Sequence, residues 1–223
     1  MSDYGRLFKA VRGVVRWFTP QYRIRTDHDL PTPSVMLCRH NNLNGPRIVM
    51  TWLPHAVRTW VFHVFMDRVT CYRHYVGYTF TQRFRWSTWK AAFAARMLTP
   101  FVVNVLDSMR AIPVYRNSIE SFKTIKETLR ALLSGEQVLI FPDVNYTSTD
   151  KEVRSIYEGF LYLERYYYSK TGKHLPFIPI YLDHDRKEII FGEAICFADG
   201  LDFYEQKDSM LDFIAHKINS PNN

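Results

Sequence analysis

The sequence has little of what marks several common protein classes. Its three cysteines, Cys38, Cys71 and Cys196, are scattered along 223 residues. They make neither the close pairs of a zinc site nor a disulfide framework, so a reducing, cytoplasmic compartment is expected. No run of about 18 apolar residues occurs, and no membrane span is expected. The N-terminus lacks the long apolar core of a secretory signal. Internal repeats, low-complexity segments and interdomain linkers are missing too. The chain therefore reads as one folded domain.

What is present is apolar and basic. A hydrophobic fraction of 47% with 23% charged residues suits a packed core rather than disorder. A formal net charge of +7 calls for an anionic partner: phospholipid headgroups, nucleic acid or a phosphorylated substrate. Near the N-terminus Leu7, Phe8, Val11, Val14, Val15 and Phe18 recur at helical spacing, with Arg6, Lys9, Arg12 and Arg16 mostly on the other side. Residues 1–20 are therefore expected to form an amphipathic helix on a membrane surface, with an α/β domain over 21–223. The alternative is a terminal helix docked on the core with a solvated basic face. Residues 51–106 interleave aromatics such as Trp52, Trp60, Trp86 and Trp89 with arginines such as Arg58, Arg68, Arg83 and Arg96. That mixture suits a membrane interface or an aromatic core with snorkelling arginines. Single-stranded nucleic acid is a third reading. No nucleic-acid module matches, however, and no nucleic-acid partner is expected.

Strands are expected over 22–25, 34–38, 137–141, 177–182 and 188–191, and helices over 90–98, 117–134, 155–169 and 209–218. Asn117 with Glu120 gives a capping-box-like start, and Gly135 a stop. Strands alternating with helices imply an α/β fold with a mixed, partly parallel sheet flanked by helices.

Four short blocks join an apolar run to a turn-forming or reactive residue. They are Cys38-Arg39-His40-Asn41-Asn42-Leu43-Asn44-Gly45, Ile112-Pro113-Val114-Tyr115-Arg116, Ile140-Phe141-Pro142-Asp143 and Pro176-Phe177-Ile178-Pro179-Ile180. Histidine suits proton transfer because its ordinary pKa lies near neutrality. A histidine just after a strand would stand at the lip of a sheet. Cys38, two residues before it, reads as a buried small hydrophobe rather than a nucleophile. By themselves, Arg116 reads as a solvated strand-end arginine and Asp143 as a turn residue after proline.

In this order the blocks resemble the glycerolipid (lysophosphatidic acid) acyltransferase superfamily, over roughly residues 34–195. The resemblance implies transfer of a fatty acyl group from acyl-CoA or an acyl carrier protein thioester to a lipid-like hydroxyl or amine acceptor. His40 would be the general base. Arg116, helped by Arg110, would hold the acceptor, with Asp143 and Pro142 beside it, and Pro176 to Ile180, including Pro179, would line an acyl groove. No metal and no bound cofactor are implied. The protein would be peripheral on the inner face of a membrane.

Two blocks depart from the family pattern. The aspartate that follows the histidine with four residues between is Gly45 here. Asn44 stands next to it as a candidate orienter of the ring. Three readings stay open: an orienter from elsewhere, with Asp143 and Asp107 as candidates; a slower site; or a fold kept for binding lipid without catalysis. In the third block the family's Phe-Pro-Glu-Gly-Thr-Arg-Ser reads Phe141-Pro142-Asp143-Val144-Asn145-Tyr146-Thr147. The lost glycine and arginine favour a neutral, amine-bearing or larger acceptor over glycerol phosphate.

Overall fold

The computed structural model describes residues 3–116, 119–144 and 156–220. These form two compact units. The first holds the described residues of Met1–Asp3, Arg12–Arg58 and Ile125–Asn223; the second holds Tyr4–Val11 and the described residues of Thr59–Thr124.

The first unit is built on a mixed sheet. Its strands are β1 (Arg23–Thr26), β2 (Val35–Cys38), β5 (Val138–Ile140), β6 (Phe177–Asp183) and β7 (Glu188–Phe191), in the order β1-β7-β6-β2-β5. β2 pairs parallel with both β5 and β6, and β7 runs antiparallel to β6. Val-Met-Leu-Cys of β2 and Val-Leu-Ile of β5 are buried at every position, as continuous apolar runs are when both faces of a parallel sheet are covered. Covering helices include α2 (Asn44–Trp52), α6 (Tyr162–Thr171) and α7 (Phe203–Asn219). The expected α/β class with a mixed, partly parallel sheet is what the chain adopts, and most of the pairings are parallel.

Helix α1 (Arg6–Phe18) is held by its arginines. Arg12 donates to the carbonyls of Thr51 and Leu53, and Arg16 donates to Thr51 O at 3.2 Å and lies over the Trp52 ring. These carbonyls belong to the C-terminal end of α2, which has no intrahelical donors for them. Val14, Trp17 and Phe18 are left exposed. Arg6 and Lys9 are exposed as well, while Phe8 of the apolar set is buried.

The second unit contains β3 (Arg58–Phe62) from Thr59 on, parallel to β4 (Ile112–Val114), α3 (Arg68–His74), a π-helical stretch over Tyr75–Arg83, and α4 (Thr88–Ser108). The expected helix over 90–98 runs on through Pro100 to Ser108. Proline removes one amide from the ladder without ending the helix here. Helix α4 then stops in a Schellman arrangement with Arg110 left-handed at φ 60°.

Helix α5 (Ser121–Leu133) ends as the sequence indicates. Gly135 is left-handed at φ 74°, its amide bonds to Leu132 O, and the Glu136 amide bonds to Ala131 O. Glu120 lies before the helix and pairs with Lys123 at 2.5 Å, while Asn117 falls outside the described residues. The expected helix over 155–169 is a 3-10 turn, Glu158–Leu161, leading into α6, with residue 155 outside the described part. Helix α7 begins six residues earlier than its apolar pattern, because Asp202 caps it by accepting from the Tyr204 amide.

A buried carboxylate fastens α6 to β6. Glu164 accepts from His174 Nδ1 at 2.6 Å and from the Leu175 amide at 2.7 Å, and His174 Nε2 reaches Asp199 at 3.0 Å. Burial alone would lower the His174 pKa, but the hydrogen bonds and charges of Glu164 and Asp199 outweigh it and hold it above the ordinary 6.5. A raised folded pKa stabilises the protein below the unfolded value and loses that contribution as pH rises through the folded one. Urea midpoints are therefore expected to fall as pH is raised from 6.5 through the shifted pKa. His174→Gln should flatten that slope; an unchanged slope would remove the cluster from the pH dependence.

Candidate active site

Three parallel strands end side by side, and each is followed by a reactive side chain. His40 follows β2, Asp143 follows β5 and His184 follows β6. Ligands of open α/β sheets bind outside the carboxyl ends of such strands.

The first and third sequence blocks meet here. The His40 backbone amide donates to Asp143 Oδ1 at 3.0 Å. The His40 ring stands edge-on to Phe141, with centroids 5.8 Å apart and planes at 84°. Asp143 is only 3% exposed, and Pro142 O accepts from the Tyr157 amide at 2.7 Å. Asp143, named from the sequence as one candidate for orienting His40, therefore fixes its backbone. Asp107 belongs to the second unit.

The ring itself is addressed by the backbone. The Leu43 amide donates to His40 Nδ1 at 3.3 Å. That contact selects the neutral tautomer with the proton on Nε2. It arises because Asn41, Asn42 and Leu43 are all left-handed, at φ 42°, 48° and 73°. Asparagine tolerates this region better than most residues; leucine does not, and such strain clusters at functional sites. The Gly45 amide closes the turn on His40 O at 3.1 Å, and α2 starts at Asn44 with Pro46 in its first turn. Asn44 Oδ1 accepts from Arg47 at 3.2 Å.

Glycine is required at position 45 for steric reasons. A Cβ at this position would lie 1.8 Å from the Arg39 carbonyl oxygen and 3.1 Å from that of His40. The backbone folds over position 45 so closely that no aspartate fits there.

Cys38 is fully buried. Burial first, and the Asp143 charge second, push its thiol pKa far above the ordinary range. It is inert, as a buried small hydrophobe should be. His184 escapes sequence reasoning. Its Nδ1 lies 3.0 Å from the Tyr22 hydroxyl and its Nε2 3.5 Å from Asn41 Nδ2, at the edge of the His40 turn. The available signal was a histidine between two aspartates directly after a strand.

Pro179 sits elsewhere. It pairs with Leu37 across β2 and β6, while Cys38 pairs with Ile180. Side chains alternate along a strand, so Pro179 and Cys38 point to opposite faces. Pro179, Tyr181, Ile190, Phe191 and Phe213 line a cleft of about 460 Å³, with Arg25 and Lys217 among its polar walls. His40 does not line it. Arg116 and Arg110 belong to the second unit, where Arg116 is exposed after β4. Val144 is exposed, and positions 145–147 lie outside the described residues.

No protein-family model matches the chain, and no curated protein matches its sequence. Among solved structures it is similar to the 1-acyl-sn-glycerophosphate (LPA) acyltransferase PlsC from Thermotoga maritima. That likeness has 10% sequence identity and a TM-score of 0.48, and it covers 97% of this chain and 80% of that one.

Proposed function

We propose that the first unit carries a site for acyl transfer from a thioester to a lipid-like hydroxyl or amine, with His40 taking the proton of the attacking group. The observation that supports it most is the His40 amide bonded to Asp143, which joins two of the sequence blocks at the carboxyl edge of a parallel sheet. The acceptor oxygen or nitrogen attacks the thioester carbonyl carbon, and its proton passes to His40. The tetrahedral oxyanion then collapses, the carbon–sulfur bond breaks, and the departing thiolate takes the proton from His40. Acyl-CoA or an acyl carrier protein thioester would be the donor.

Base action at Nε2 requires the Leu43 contact to open and the ring proton to move to Nδ1. Losing one such hydrogen bond costs about 1 kcal/mol. That cost slows proton transfer about fivefold. The protein would work at the inner face of a membrane, where the bare apolar row of α1, Val14, Trp17 and Phe18, enters the headgroup boundary. Among the described residues no helix is long and apolar enough to cross a bilayer.

The Leu43 contact and the closed turn at Gly45 also favour a second reading, a lipid-binding protein without turnover. Incubation with labelled long-chain acyl-CoA, acyl carrier protein thioesters and a total lipid extract separates the two. A new acylated lipid supports transfer, and its mass gives the acceptor. No product, with lipid co-purifying in equal amount, supports the second reading.

A further inference from the structure

Helix α4 of the second unit turns its bulky apolar side chains outward. Trp89, Phe93, Met97 and Phe101 are 70%, 68%, 67% and 48% exposed. Residues four apart stand one above another on a helix, so these four make a continuous ridge. The inward face is made of small residues: Ala91 and Ala95 are buried against Phe80, with Tyr75 and Val76 of the π-helical stretch beside them. Amphipathic helices of soluble domains do the reverse. A contiguous apolar ridge of this kind marks an interaction surface.

The charge around the ridge identifies the partner. From Arg68 to Leu106 the chain carries six cations, Arg68, Arg73, Arg83, Arg85, Lys90 and Arg96, and no aspartate or glutamate. All six are exposed. Lys90 Nζ lies 5.5 Å over the Trp89 ring and the Arg83 guanidinium 5.9 Å over Phe84, so cations and aromatic rings share one level. That arrangement fits the headgroup boundary of an anionic bilayer, where apolar groups meet acyl chains and cations meet phosphates. A second copy of the chain would bring six like charges against six, which opposes self-association.

We propose that α4 docks the second unit on an anionic lipid bilayer, with Trp89, Phe93, Met97 and Phe101 entering the headgroup boundary. This deepens the membrane-surface reading given for α1 and rests on it for the partner, but it requires no catalysis. The full chain is mixed with phosphatidylcholine vesicles with and without about 30% phosphatidylglycerol, and bound protein is sedimented. The double variant Phe93→Ser with Met97→Ser is compared with Val14→Ser with Phe18→Ser on α1. Binding of the wild type should need the anionic lipid and weaken with salt. The α4 variant should bind about tenfold less or weaker still, with unchanged circular dichroism. Unchanged binding of the α4 variant overturns the inference; loss confined to the α1 variant leaves the α1 reading standing. A wild-type dimer that the α4 variant dissociates, with vesicle binding intact, would overturn it in favour of self-association. Acyl transfer measured in detergent reports on the site of the first unit separately.

Discussion

Gly45→Asp, which would put a carboxylate five residues after His40, is expected to unfold the turn instead of adding to the site. The added Cβ would stand 1.8 Å from the Arg39 carbonyl oxygen, a backbone atom that cannot swing aside. Relief requires moving the end of β2 away from the start of α2. The end of β2 and Gly45 are buried there, and β2 has a paired strand on each side. A loss of about 4 kcal/mol or more is expected in urea unfolding, in the class of severe backbone and overpacking defects. Gly45→Ala should lose nearly as much, because the Cβ and not the charge is at fault. A folded Gly45→Asp protein with faster acyl transfer would show that the turn around His40 opens readily, and the steric account would be wrong.

Asp143→Ala is expected to lower stability by about 2 kcal/mol, since it leaves the His40 amide without its acceptor in a buried place. Asp143→Asn keeps an acceptor oxygen and should lose about 1 kcal/mol, the difference between a charge-assisted and a neutral hydrogen bond. Transfer activity should follow the same order: wild type, then Asn, then Ala. If Asn and Ala are equally impaired in rate while differing in stability, the charge of Asp143 acts in the reaction and not only on the backbone of His40. Cys38 should stay unreactive to alkylating agents in the folded Asn variant, because burial is the larger cause of its raised pKa.

The sequence made the scaffold of the first unit readable where burial dominates. Val35 to Cys38 and Val138 to Ile140 are apolar without interruption, and only strands covered on both faces take such runs. Gly135 marked the end of α5 because only a left-handed residue closes that motif cheaply. Tertiary effects were not readable. The Asp143 to His40 bond spans 103 residues and depends on β2 and β5 being neighbours. That position 45 holds glycine was visible, but the need for it, a backbone passing over the position, exists only in three dimensions. Helix α4 misleads a periodicity argument because its small residues face inward and its aromatics outward. The π-helical stretch over Tyr75–Arg83 has no local sequence signature of its own.

Single-turnover acyl transfer by the wild type and by His40→Ala, compared at matched folding, tests the central claim most directly. The expected result is a measurable acylated product from the wild type and a rate at least about a hundredfold lower from the variant, with the urea midpoint little changed. Equal rates from the two proteins would remove His40 from the chemistry and contradict the account.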